Sequence, residues 1–399
     1  MVDPMIFCPP PKKASRCNTF RRTGIVTDSR YADHCTMPDH PECPERVIVL
    51  ADLLREPVFE NRFYPILPKP ASKDDLSMVH SLEYIQRLEA TEGKESSYLD
   101  KDTAISALSH ETALLAAGGI CEAIRQVCNG ELNNSLAMVR PPGHHAEKTE
   151  AKGFCLYNNV AIGAKYAQNK LGLKRILVVD WDLHHGNGTQ HCFEKDPSVL
   201  FFSIHRAFLF PGSGRLGEIG KGAGKGLTIN IPLLSGCGDG EYLTLLEAIL
   251  RPVALEFSPE LILVSAGFDI HFNDPMGGMR VTSKGFAGMT SCLLNIADEC
   301  CGGKLVMTLE GGYDLIALKE SIREVMMELI GIQVTDTKEM LYAADPEKII
   351  VILWKVKKKH QRFWKNLSKI YVDRQEIPSP TLWQRQRELF LRIIEYFKS

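Results

Sequence analysis

Six short apolar runs, often β-branched, recur along the chain at Leu136–Val139, Ile176–Val179, Val199–Phe202, Leu227–Ile231, Leu261–Val264 and Leu305–Leu309. Continuous apolar runs of this length are expected of parallel strands covered on both faces. Helical patterns separate them, at Thr103–Cys128, Asn158–Lys170, Asp239–Phe257, Thr282–Cys300 and Leu315–Ile330. Strand–helix alternation predicts a single α/β domain with a central, mainly parallel sheet flanked by helices. With 399 residues, 44% of them hydrophobic, the chain is long enough for a large core.

The segments that follow the runs carry the chemistry. After Val139 comes Arg140-Pro-Pro-Gly-His-His-Ala146, and after Val179 comes Asp180-Trp-Asp-Leu-His-His-Gly-Asn-Gly188. Ser203-Ile-His205, Ser265-Ala-Gly-Phe-Asp269 and Glu310-Gly-Gly-Tyr313 follow three others. In open α/β sheets ligands bind beyond the carboxyl ends of the strands, so five distant segments should converge on one pocket.

Asp182 and His184 are two residues apart near a strand end, so their side chains should share a direction. Catalytic zinc usually takes three protein ligands and keeps a position open, which makes Asp269 the natural third. His144 and His145 then read as proton carriers, one taking a proton from attacking water and one giving a proton to a leaving amine. Each imidazole needs a partner to fix its tautomer, and Asp180 and Asn187 are the candidates. A carboxylate raises histidine basicity more than an amide does, so the two rings should differ in pKa. Tyr313, on a glycine-flanked loop, could donate its phenol to a developing oxyanion.

Other features limit the partners. The net charge of −2 gives no global attraction to nucleic acid or to an anionic membrane. No apolar run reaches the roughly 18 residues of a membrane span. Twelve scattered cysteines without a C-x-x-C pair suggest reduced thiols in a cytoplasmic setting. Met5-Ile-Phe-Cys8, followed by three prolines, is too short for the apolar core of a signal peptide. Residues 1–22, Pro-rich and basic, read as an arm outside a catalytic domain at 23–334 and as a possible contact for a homo-oligomer. Residues 335–399 read as a helical extension packed on or beside the core. In it, Ile349–Ile370 has an amphipathic pattern with a basic face, and Leu382–Phe397 is expected to be a last helix.

Together these stretches resemble the zinc-dependent histone deacetylase family, which includes acetylpolyamine amidohydrolases. The resemblance runs from about Thr23 to Ile330 and also rests on His40-Pro-Glu-Cys-Pro-Glu-Arg46 and Gly153-Phe-Cys155. It implies an arginase-like fold with about eight strands and one catalytic Zn2+ on Asp182, His184 and Asp269. It also implies a structural K+ held at Asp180, Asp182, His184 and Ser203. By the same likeness Gly153, Phe154 and Phe210 would wall an acyl-lysine tunnel, and Arg46 would stand at an internal acetate exit. Asn187 in place of an aspartate looks like the class II pattern. Met276 stands where the polyamine-selective member has a gatekeeper glutamate. A loop acid that grips the substrate backbone is expected at Asp100 or Asp102. The activity implied is removal of acetyl or other acyl groups from lysine. Small acetylated amines or polyamines, a non-catalytic acyl-lysine scaffold and a two-manganese ureohydrolase are the alternatives. The last needs more bridging carboxylates than Asp180-Trp-Asp-Leu-His184 offers.

Overall fold

The computed structural model describes residues 20–368. All six apolar runs form strands of one main sheet, and two further strands of that sheet precede them. In chain order the strands are β1 (Thr23–Val26), β2 (Tyr64–Ile66), β3 (Asn134–Ala137), β4 (Ile176–Asp180), β5 (Val199–Arg206), β6 (Thr228–Leu233), β7 (Leu261–Ala266) and β8 (Leu305–Leu309). They make one parallel sheet in the order β2-β1-β3-β8-β7-β4-β5-β6. Pro65 sits in β2 at the sheet edge, where a missing N–H disturbs no second ladder.

Neighbouring strand residues feed opposite layers. Leu177 and Val179 of β4 pack into one core and Ile176 and Val178 into the other; β7 divides Ile262 and Val264 from Leu261 and Leu263 in the same way. Each such side chain fully removed from water stabilises the fold by about 1.5–3 kcal/mol.

Three helix expectations are revised. The helix expected from Thr103 begins at Ser109, because Ala104–Ile105 instead pairs antiparallel with Ser97–Tyr98. The stretch Asp239–Phe257 is helical but widens to a π turn over Leu246–Leu250. That turn lies just before Pro252, which has no N–H for an ordinary ladder. The pattern Ile349–Ile370 is not one helix: Pro346–His360 is helical, and a turn then leads to Lys365–Ser368. Trp364 is tucked inward there, its Nε1 donating to the Gly226 carbonyl at 3.0 Å. Ile349, Leu353, Val356, Trp364 and Leu367 join the core on that side, while Lys355 and Lys358 face outward. The expected helix Leu382–Phe397 and most of the N-terminal arm lie outside the described residues. Among the described residues no helix is long and apolar enough to cross a membrane.

The sheet order has one consequence for function. β3, β8, β7, β4 and β5 are five consecutive strands at its centre; four of them lead into polar segments, whereas Ser203-Ile-His205, expected after its strand, lies within β5 near its carboxyl end.

Candidate metal and proton-transfer site

Asp182, His184 and Asp269 meet at the carboxyl ends of β4 and β7, with ligand atoms all within 4.8 Å of one another. Asp182 Oδ1 accepts the His184 backbone N–H at 2.8 Å, and Oδ2 accepts that of Gly311 at 2.8 Å. Asp269 Oδ1 accepts the Leu183 N–H at 3.0 Å. Its Oδ2 lies 3.2 Å from His184 Nδ1 but has no hydrogen bond of good geometry among the described residues. Two buried carboxylates thus converge on one point. Burial, and then the charge of Asp182, push the Asp269 carboxyl up to about 7. A divalent cation removes that conflict, and two oxygens with one imidazole nitrogen fit zinc with a position left open.

His144 and His145 stand over this cluster, their ring centroids 4.0 Å apart. His144 Nδ1 is 3.0 Å from Asp180 Oδ2, and His145 Nδ1 is 2.7 Å from Asn187 Oδ1. Burial would lower the His144 pKa, but the carboxylates of Asp180, Asp182 and Glu310 outweigh it and raise the ring to about 10. Burial, then the charges of His144 and His184, drive His145 well below the usual histidine range. The pair therefore differs as an acid–base division requires, with a carboxylate behind one ring and an amide behind the other.

Tyr313 borders the same space. Its backbone N–H donates to Asp274 Oδ2 at 2.6 Å, and its ring meets Phe154 edge to face at 6.0 Å. Burial holds its phenol well above the usual range, so it stays protonated as a donor.

Residues 40–329 match the histone deacetylase domain family. The chain belongs to the histone deacetylase family. The family is zinc-dependent, and its members hydrolyse acetyl amide bonds. A probable deacetylase of Archaeoglobus fulgidus is 40% identical over 362 residues, covering 86% of this chain and 99% of that protein. Histone deacetylase 5 of Arabidopsis thaliana is 41% identical over 322 residues, or 76% of this chain and 48% of the relative. Human polyamine deacetylase HDAC10 is 42% identical over 309 residues, or 73% and 46%. The chain thus spans nearly all of the archaeal relative and about half of the plant and human ones. The crystal structure of the HDA15 HD domain superposes with a TM-score of 0.79 at 36% identity, covering 87% of this chain and 96% of that one.

Two predicted aromatic residues flank this centre of the deacetylase. Phe210 meets the His145 ring edge to face at 4.9 Å. Phe154 lies across the site against His40 and Tyr313. Gly153, at φ +54°, brings the chain so close that a Cβ there would stand 2.6 Å from His145 Cδ2 and 2.7 Å from Phe210 Cε1. Gly153→Ala should therefore displace the proton-transfer ring and narrow the opening. A misplacement near 1 Å costs on the order of a hundredfold in kcat/KM, which steady-state kinetics on an acetyl-lysine peptide would read. Met276 is partly exposed, its N–H bonded to Asp274 Oδ1 at 2.9 Å. Ser203 pairs in register with Asp180 on the neighbouring strand and bonds His205 Nδ1 through its hydroxyl at 2.8 Å. Arg46 is fully buried behind the Tyr313 loop; its Nε donates to the Gly312 carbonyl at 2.7 Å and its NH1 to Glu42 Oε1 at 3.0 Å.

Of the two loop acids, Asp100 directs Oδ1 at the N–H groups of Asp102 and Thr103, while Asp102 has a buried Oδ1 with no hydrogen-bond partner among the described residues. Sequence reasoning assigned no role to Glu310. It lies buried, with Oε2 accepting the N–H of Gly143 at 2.7 Å and of His144 at 3.1 Å, and with Oε1 accepting the Ser265 hydroxyl at 3.0 Å. It thereby ties the histidine loop to β7. An acid directly after a buried strand was the available signal. His144, Cys155 and Glu310 form a second close group, but it suits a metal poorly. Burial drives the Cys155 thiol well above its usual range, and only a thiolate ligates.

Proposed function

We propose that the deacetylase removes acetyl groups from the ε-amine of lysine in proteins, with one zinc ion held by Asp182, His184 Nδ1 and Asp269. The observation that carries this reading is the convergence of those three ligand atoms beneath two histidines whose partners differ in charge. When bound, zinc supplies Lewis-acid polarisation of the substrate carbonyl and makes a water more acidic. His145, kept neutral, takes the proton from that water. His144, cationic beside Asp180, hands a proton to the departing amine nitrogen. Tyr313 donates its phenol to the carbonyl oxygen as negative charge grows there. Phe154 and Phe210 hold the aliphatic stem, and Asp102 accepts backbone N–H groups of the peptide at the rim. A structural K+ at Asp180, Asp182, His184 and Ser203, and an acetate path past Arg46, complete the assignment by family likeness.

Lysine in a protein is favoured over a polyamine because Met276 is neutral. A substrate with a second ammonium group finds no carboxylate at that position. The test is a side-by-side panel of acyl-lysine peptides and acetylpolyamines with the zinc-loaded protein, with and without a chelator. Acetyl-lysine peptides should be hydrolysed faster, and chelation should stop turnover. Faster acetylpolyamine hydrolysis would reverse the substrate assignment, and chelator-insensitive activity would remove the metal from it.

A further inference from the structure

We propose that Glu147 is a positioning residue for the catalytic pair: its carboxylate orients the Asn187 amide, and that amide sets the tautomer of His145. This rests on the deacetylase reading given above. Asn187 opens the short helix Asn187–Phe193, with its side chain between two groups. Its Oδ1 lies 2.7 Å from His145 Nδ1, and its Nδ2 lies 2.6 Å from Glu147 Oε1 and 3.3 Å from the His145 carbonyl oxygen.

An ionised carboxylate can only accept hydrogen bonds. Glu147 therefore requires the NH2 end of Asn187, which leaves the amide oxygen facing His145. That oxygen also only accepts, so His145 Nδ1 must carry the ring proton. Nε2 is then left with a free lone pair, as a base taking a proton from water needs.

The contrast with His144 explains why an extra residue is needed. Asp180, behind His144, accepts from either oxygen, so its rotation does not matter. An amide has a donor end and an acceptor end. Turned over, Asn187 would offer N–H to Nδ1 and favour the tautomer protonated on Nε2, which cannot act as a base. Where an amide replaces a carboxylate, something must fix its sense.

Glu147 is itself held. Its backbone N–H donates to the Glu150 carbonyl at 2.9 Å, and its own carbonyl lies 2.8 Å from His80 Nδ1. On the outer side His191 Nδ1 lies 2.8 Å from the same Oε1 that meets Asn187. A chain of contacts thus leads from a half-exposed surface histidine to the buried ring over the metal ligands. Glu147 itself acts only through Asn187 and does not touch the reacting atoms.

Two substitutions separate orientation from charge. Glu147→Met removes the acceptor. Glu147→Gln loses the charge but can still accept the Asn187 NH2 through its own amide oxygen. The full chain, zinc-loaded, would be assayed on an acetyl-lysine peptide, with bound zinc quantified and the 15N signals of the His145 ring recorded. Outer partners of site histidines typically affect activity by about 10- to 100-fold, so E147M should lose that much kcat while KM changes by less than about threefold and zinc stays bound. E147Q should retain at least about five times the kcat of E147M. His145 should be protonated on Nδ1 in the wild type and mixed in E147M.

An undiminished kcat in E147M, equal losses in both variants, or a loss that tracks missing zinc would overturn the proposal. So would a wild-type His145 protonated on Nε2, a reading that needs no variant to fold. If instead the wild type shows no chelator-sensitive deacetylation, the reading of the site fails; the ring spectrum still decides the role of Glu147.

Discussion

Asp269→Asn should yield a folded protein that has lost both its response to zinc and nearly all of its turnover. Asparagine is close to isosteric, and its Oδ1 can still accept the Leu183 N–H that aspartate accepts at 3.0 Å. The local loop should therefore keep its shape. The change removes one of the two buried charges that face each other across the ligand cluster. Without metal that removal relieves repulsion, so the metal-free variant should melt no lower than the metal-free wild type. Zinc should stabilise the wild type by about 4 kcal/mol at a thousandfold excess over its dissociation constant, and D269N by far less. Loss of Lewis-acid assistance worth several kcal/mol corresponds to about a thousandfold or more in kcat. Melting curves with and without zinc, bound-zinc analysis and peptide deacetylation together check this. A D269N protein that binds one zinc and turns over normally would remove Asp269 from the ligand set.

The contrast between what the sequence revealed and what it hid is physical. β4 and β7 were legible because each is buried on both faces and so is apolar throughout. β1 and β2 are short, and Thr23 with Gly24 in one and Pro65 in the other leave no continuous apolar run. The break after His360 depends on Trp364 reaching the Gly226 carbonyl, a contact between segments far apart in sequence. At the site, the cluster of Asp182, His184 and Asp269 beneath His144 and His145 was legible because the proposed metal and proton chemistry restricts residue type. The supporting acids were not. Glu310, Asp274 and Glu147 act by accepting N–H groups of backbone or amide; apart from the place of Glu310 directly after a buried strand, nothing in the sequence sets such acids apart. Arg46 was expected at an exit. Its buried guanidinium also grips the Gly312 carbonyl and Glu42, so it fixes the loop on which Tyr313 sits.

Tyr313→Phe should give the second large loss, with a different signature. The ring that packs 6.0 Å from Phe154 and 5.2 Å below the Arg46 guanidinium is retained, as is the backbone N–H to Asp274. Only the hydroxyl disappears. Because burial keeps that phenol protonated, what is lost is a neutral donor rather than a charge. Zinc content and melting temperature should stay at wild-type values. A donor that strengthens only as negative charge builds on the carbonyl oxygen lowers kcat more than it raises KM. Removing one such donor costs about 10²–10³ in kcat. Steady-state kinetics on an acetyl-lysine peptide, with bound zinc measured in the same samples, separates this from damage to the metal ligands. A Y313F protein whose kcat stays within about threefold of wild type would show that the oxyanion is stabilised without the phenol. A fall in kcat that tracks lost zinc would instead make Tyr313 part of the frame that holds the ligands.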